Sequence, residues 1–322
     1  MARKSIELHE SFRPCRDYII AMMGLTLMAS LFYGLRVIIL VALSLVAALV
    51  CDLLASLLRK EPYVASDISS CMFAMVFTML LPASSRYEIV LVGTVVTILI
   101  GKHAFGGYGA YPFNPAAFGF AFTSICWPSD LYLYPQSSSR IGLGFDSGAT
   151  LQTAVASALK YGGIPTIDTA DLMIGNYPGP MGTTFCLIIL SSLVLLIAHG
   201  AMTWHIPVAY LLTCSAWAVL FPRIPVGLLY SLIYELFSGA IIFAAVFIVA
   251  EPTTSPANPT AKILYGLLLG IGTMVFRTWG AFEMGVCFTV LLLNPLSSYL
   301  DRHMSRQARR RQAKAKSRQR GE

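Results

Sequence analysis

Residues 37–58, VIILVALSLVAALVCDLLASLL, run for 22 positions with Asp52 as the one charge. A chain holding such a stretch must bury it or place it in lipid. Crossing a bilayer takes about 20 mostly apolar residues, and in hydrocarbon only a helix or a closed barrel pairs every backbone group. Similar runs lie near 17–34, 36–58, 66–82, 88–104 and 113–127, and, after a polar interval, near 181–199, 203–221, 236–250, 262–276 and 281–298. Charged residues make up 12% of the chain, against about 25% in soluble domains. An ordinary soluble enzyme is excluded. The expected fold class is an all-α integral membrane protein of about ten transmembrane helices. GLLYSLIYELF (227–237) reads as an extension of the eighth or a separate interfacial piece. The polar opening MARKSIELHESFRPCRD lacks a small-residue cleavage site before the first run, so that helix is expected to remain in the membrane.

Charge gives the orientation. The net charge of +7 equals that of residues 301–322 alone, which hold nine Lys/Arg and two acids. Arg3, Lys4, Arg13 and Arg16 mark the amino terminus, Arg59 and Lys60 the loop after the second run, whereas 128–180 carries two basic residues against four Asp. Basic residues stay cytoplasmic, so both termini are expected inside and 128–180 outside. The resulting order is a cytoplasmic segment 1–16, a five-helix unit 17–127, an outward loop 128–180, a second five-helix unit 181–299 and a basic tail 300–322. Beside a membrane, that tail suits anionic lipid or an acidic partner subunit better than nucleic acid. Trp127, Tyr132, Trp204 and Trp279 suit interfacial belts. The seven cysteines stand singly in apolar surroundings, without a C-x-x-C pair or metal-ligand spacing, and read as small buried hydrophobes.

FAMVFTMLLP (73–82) and FAAVFIVAEP (243–252) share Phe, Ala, Val, Phe and Pro, and YGAY (108–111) aligns with WGAF (279–282) at nearly the same offset. Five helices separate the paired segments. An odd number reverses direction, so the two units are expected to be inverted repeats, a design that places ligands near broken helices. Two breaks are visible. In GKHAFGGYGAYPFNPAAFG (101–119), Gly106, Gly107, Gly109, Pro112 and Pro115 interrupt a helix, and Asn114 is placed to cap a new one. EPTTSPANPTAK (251–262) is the second, with Pro252, Pro256 and Pro259.

Ionisable groups at membrane depth are costly and mark candidate function. Asp52, Glu235 and Glu251 are the candidates for an ion path or a partner contact. Asp67 and Lys102, near run ends, are expected to snorkel to water. In the outward loop, GFDSGATLQTAVASALKYGG (144–163) contains good helix formers over 149–161, with Asp146 or Ser147 as cap. Thr150 would then sit in the first turn, where free N–H groups favour a phosphate.

DSGAT in an outward loop, preceded by GGYGAYPFNPA and followed by EPTTSP, resembles the membrane flavoprotein family that contains the D subunit of the Rnf complex and the B subunit of the sodium-pumping NADH:quinone reductase. The resemblance spans about residues 15–300. It implies covalent FMN, joined by a flavin transferase through a phosphoester to Thr150, with Asp146, Ser147, Gly148 and Ala149 as recognition residues. It further implies a non-covalent riboflavin near Gly106, Gly107, Gly109, Tyr111 and Asn114. In this family Tyr111 often corresponds to an asparagine, Thr183 to a glutamate and Glu251 to an aspartate. The short polar amino terminus favours the Rnf-type member of the family. The implied role is electron relay in a bacterial inner-membrane, ion-translocating ferredoxin:NAD⁺ oxidoreductase. Because the chain has neither a ferredoxin cysteine set nor a dinucleotide fingerprint, partner subunits of the A, B, C, E and G types would hold those cofactors. A quinone-reductase B-like subunit and a small-solute channel of inverted-repeat fold are the competing expectations.

Overall fold

The computed structural model describes residues 2–60, 67–137, 141–144, 150–153, 155–160, 163, 165, 167–224, 227–280 and 284–319, and within them the side chains of all but 2–11, 156, 157, 160 and 305–319. The first group of helices is α1 (Ala2–Tyr33), α2 (Leu35–Arg59), α3 (Ser69–Met79), α4 (Tyr87–Val95) and α5 (Pro115–Cys126). Past Val95, α4 widens into π-helical turns over Val96–Lys102 and tightens into a 3₁₀ turn over His103–Phe105. An outer layer follows: α6 (Pro128–Leu131), β1 (Leu133–Pro135), β2 (Leu151–Thr153), α7 (Val155–Lys160) and α8 (Thr169–Ile174). The second group is α9 (Cys186–Ala198), α10 (His205–Leu220), α11 (Leu228–Phe237), α12 (Ile241–Phe247), α13 (Pro259–Trp279) and α14 (Gly285–Gln319).

Composition explains the layering. On α2, Val37, Leu40, Val41, Ser44, Ala48 and Cys51 are buried, while Ile38, Val46, Leu49, Val50, Leu53 and Leu57 on the other side are exposed. An apolar outer face of that size is stable against lipid and not against water. Phe12–Tyr33, Leu35–Arg59, Tyr87–Phe105 and Pro259–Trp279 are each long and apolar enough to cross a membrane. Leu228–Phe237 and Ile241–Phe247 make a fifth span if the 51° bend between them is one broken crossing. The helices at 69–79, 115–126, 186–198 and 205–220 are apolar but shorter.

Two of the short helices end inside the molecule. Their last carbonyls, which no intrahelical donor reaches, are met by residues from the other group. Gly182 N–H donates to Met79 O at 2.8 Å and Met181 N–H to Leu81 O at 3.0 Å, while Asn114 Nδ2 donates to Ile248 O at 3.3 Å. Small residues let the longer helices approach. A Cβ at Gly119 would stand 1.8 Å from Thr97 Oγ1 and 3.1 Å from Gly93 O, and one at Gly270 would stand 2.6 Å from Thr213 Cβ. Close approach through small residues is how helices pack in lipid. Gly119→Val is therefore expected to separate α4 from α5 and cost roughly 1–3 kcal/mol or more, read as a lower melting temperature in detergent.

Several expectations need correction. The run 149–161 is not one helix: Leu151–Thr153 pair with Leu133–Pro135 as an antiparallel ribbon, Leu133 opposite Thr153 and Pro135 opposite Leu151, and helix begins only at Val155. Thr150 is therefore not in the first turn of that helix, and the proposed caps Asp146 and Ser147 lie outside the described residues. The ribbon is also the one departure from an all-α description among the described residues. The polar amino-terminal segment from Ala2 is helical as part of α1, and α14 carries the basic tail as helix to Gln319. Of the two alternatives for 227–237, the structure has the separate piece: α11 is distinct from α12, which lies in the eighth run.

Candidate functional site

The first break holds a carboxylate saturated by hydroxyls. Asn114 caps α5, its Oδ1 accepting the Ala117 N–H at 3.1 Å with Pro115 at the first helical position, which the Asn-Pro pair predicts. The same side chain reaches Ile248 O, so its polar groups are both engaged. Beside it, Tyr111 directs its hydroxyl at Glu251 Oε1, 3.4 Å away. Glu251 is 1% exposed. Its Oε2 accepts the Thr254 N–H at 3.0 Å and the Thr254 hydroxyl at 2.8 Å, and its Oε1 accepts the Thr253 N–H at 3.3 Å and contacts the Thr253 hydroxyl. No described Lys, Arg or His nitrogen lies within 4.0 Å of it.

Asp52 and Glu235, in contrast, are paired. Asp52 Oδ1 lies 2.6 Å from His103 Nε2 and accepts the Ser70 hydroxyl at 2.6 Å. Lys102 Nζ donates to Asp67 Oδ2 at 2.9 Å and to Ser70 Oγ at 2.6 Å. Asp67 also accepts the Ser69 N–H at 3.1 Å, at the start of α3. The Lys102 side chain is 0% exposed, which corrects the expectation that it snorkels: its ammonium is neutralised within the protein. Glu235 sits between two guanidinium groups. Arg223 Nε donates to its Oε2 at 3.2 Å, Arg223 Nη2 contacts its Oε1, and Arg277 Nε lies 3.0 Å from Oε1. Arg277 Nη2 also donates to Ser238 O at 2.6 Å and Ser238 Oγ at 2.7 Å. Each cluster ties the root of a short helix, α3 or α12, to the far end of a long one, α4 or α13. Two acids beside one lysine, or one acid beside two arginines, would be costly to break, because a buried charge that loses its partner keeps its desolvation cost.

Thr150 lies in the outer layer and is exposed, directly before β2, its carbonyl accepting the Gln136 N–H at 3.4 Å. Behind it, Val155, Leu159, Leu172, Tyr177, Ile224 and Tyr234 form a second apolar cluster, and the Tyr234 hydroxyl donates to Ile167 O at 2.6 Å. That cluster seats α7 and α8 on α11. A polar cleft of about 290 Å³ adjoins the ribbon, lined by Gln136, Ser137, Gln152, Ile167, Asn176 and Pro178. Asp146, Ser147, Gly148 and Ala149 lie outside the described residues. Of the glycines of the first break, Gly106 and Gly109 are exposed, and a Cβ on Gly109 would meet open space. Sequence reading missed Arg36, Arg223, Arg277, Ser70 and the Thr253–Thr254 pair. Arg277 alone left a signal, as a charge one residue beyond an apolar run.

Apolar helices with a lipid-suited outer face, buried ion pairs and broken ends define a multi-pass membrane protein. This chain belongs to the NQR2, RnfD, RnfE family, whose model matches residues 9–309. It is 31% identical over 287 residues, 84% of this chain and 83% of the relative, to the D subunit of the ion-translocating oxidoreductase complex of Pseudomonas aeruginosa. The D subunit of the same complex from Actinobacillus succinogenes is 29% identical over 305 residues, covering 84% and 86%. The D subunit of the Na(+)-translocating ferredoxin:NAD(+) oxidoreductase complex of Acetobacterium woodii is 28% identical over 295 residues, covering 91% and 89%. The relatives are thus subunits of redox-driven ion translocases, as the motifs DSGAT, FNPA and EPTTSP imply, and each is named as one part of a larger complex.

Proposed function

We propose that this chain is the D-type membrane subunit of an ion-translocating ferredoxin:NAD⁺ oxidoreductase, relaying electrons through FMN held covalently on Thr150. The observation that carries the reading is Thr150 itself: an exposed hydroxyl at the mouth of a fixed ribbon, beside a polar cleft lined by amide side chains. The residues fit the group, since the hydroxyl is reachable and the cleft offers donors and acceptors. A threonine hydroxyl forms a phosphoester only from an activated phosphate, so the donor is a flavin whose phosphate is held in a pyrophosphate. The Thr150 Oγ–P bond forms, the anhydride P–O bond breaks, and the hydroxyl proton leaves with the departing nucleotide phosphate. A flavin transferase supplies that step. Bound flavin supplies reversible one- and two-electron chemistry; the chain's part is to hold it beside a ribbon that leads into α7, itself seated on α11.

Ten crossings in two inverted units, 17–127 and 181–299, belong to the same proposal, with both termini cytoplasmic in a bacterial inner membrane and 128–180 outside. Its support is a common offset. Phe73 and Phe243 stand 170 residues apart, as do Pro115 and Gly285, the first residues of α5 and α14. Non-covalent riboflavin is proposed near Gly106, Gly107 and Gly109; Tyr111 and Asn114 already bond to protein, so backbone and open space at the turn would serve it. Partner subunits of the A, B, C, E and G types, the transferase and membrane lipid complete the set.

Among the three ion-path candidates, Glu251 is the one without a cationic partner among the described residues. Glu251→Gln removes the charge and keeps one acceptor oxygen, for the donors of one threonine, while its amide nitrogen cannot accept the N–H of the other. Redox-driven uptake of Na⁺ or H⁺ into inverted vesicles is expected to fall at least tenfold with flavin loading unchanged; unaltered uptake contradicts the assignment. The flavin reading is tested by co-expression with a flavin transferase and fluorescence of the denatured band in a gel. A dark band from wild type refutes it.

A further inference from the structure

Arg36 is 0% exposed in the first turn of α2, where the helix dipole disfavours a cation. On the proposed orientation it lies at the outward end of that helix, against the bias of basic residues toward the cytoplasm. Neither helix nor topology accounts for it. Among the described residues no carboxylate oxygen lies within 4.0 Å of it. Its donors go to backbone carbonyls instead. Nη1 donates to Gly142 O at 2.8 Å and to Gly144 O at 2.6 Å, and Nη2 to Ser85 O at 3.0 Å. The guanidinium lies 4.8 Å from the ring centre of Tyr87, whose hydroxyl donates to Leu143 O at 2.9 Å. Ile141 N–H donates to Tyr33 O at 3.3 Å. Four successive residues, 141–144, are thus each held by the ends of α1, α2 or α4.

One residue, Phe145, separates this segment from D-S-G-A-T150. On the far side, Thr150 is fixed by Gln136 and the ribbon. The acceptor segment is therefore anchored at both ends, at the carbonyls of 142–144 and at residue 150. We propose that Arg36 is the positioning residue for flavin transfer, fixing the upstream anchor so that Thr150 is presented to the transferase. The inference rests on Thr150 being the acceptor. A segment whose flanking residues are held in advance has less entropy to lose when an enzyme docks on it. The planar guanidinium reaches two carbonyls of the loop and one of the helix bundle at once, which a lysine ammonium, a point charge, does not reproduce.

The test uses the full chain in membranes, a flavin transferase and flavin adenine dinucleotide as donor, and measures KM for the chain and kcat separately. Arg36→Gln and Arg36→Lys are both expected to raise KM about tenfold with kcat nearly unchanged. Tyr87→Phe, which loses the Leu143 bond, is expected to raise it about threefold. A purely structural role would lower the amount of folded chain and leave KM of the remainder as in wild type. Unchanged KM in folded Arg36→Gln overturns the inference. If that variant does not accumulate, unchanged KM in Tyr87→Phe overturns it equally. Wild type that takes up no flavin, like Thr150→Val, would instead overturn the reading of Thr150.

Discussion

Thr150→Val is expected to abolish covalent flavin while leaving the fold untouched. Valine matches threonine in shape and β-branching, so the strand preference of 150–153 is kept. The Gln136 N–H still reaches the carbonyl of residue 150, which the substitution does not alter. The side chain is exposed, and such substitutions change stability by about 0.5 kcal/mol or less. What disappears is the only oxygen at that position able to attack a phosphate. Ser147 and Thr153 remain as nearby hydroxyls, so loss of all fluorescence in this one variant separates a specific acceptor from a merely hydroxyl-rich loop. Thr150→Ser, which keeps the nucleophile, is expected to retain labelling. Electron transfer through the assembled complex should fall with the flavin.

Removing Glu235 is expected to have the largest effect on stability. Glu235→Ala leaves Arg277 and Arg223 facing one another, with side chains 3% and 13% exposed. Losing one partner of a buried pair costs about 3–5 kcal/mol, because the stranded charge keeps its desolvation cost. Together with that figure, the usual response of melting temperature gives a fall of roughly 10 °C in detergent. Glu235→Gln keeps an acceptor for both arginines and should lie between. Thermal melts followed by circular dichroism decide the matter: an unchanged midpoint for Glu235→Ala would mean that the triad does not tie α11 and α12 to α13.

Local signals in the sequence were reliable where the physics is local. Asn114-Pro115 and Asn258-Pro259 place a cap and a first-turn proline in adjacent positions, and helices start at Pro115 and Pro259. Long apolar runs with one or two charges became α2 and α13. The ribbon was illegible for the opposite reason. TLQTAVASALK has good helix propensity throughout, and only pairing with Leu133–Pro135, some eighteen positions upstream, makes 151–153 a strand. Tertiary context overrides propensity there. Lys102 shows the same limit in charge. Sequence places it near the end of a run, where snorkelling is the ordinary outcome, while the partner that buries it, Asp67, lies 35 residues away. Arg36 left no signal of its role, because two of its partners are carbonyls more than 100 residues downstream. Site chemistry in this chain is thus written in distant pairs, and the acceptor motif is the exception because it is contiguous.

The central claim is a bond between one threonine and one phosphate, and trypsin isolates its peptide. Arg140 and Lys160 flank the segment and no Lys or Arg falls between them, so cleavage releases residues 141–160 as one piece. Fragmentation mass spectrometry of that peptide, from chain co-expressed with a flavin transferase, should show the mass of FMN less one water carried on Thr150. The unmodified peptide alone, or the same mass on Ser147, Thr153 or Ser157, would contradict the account.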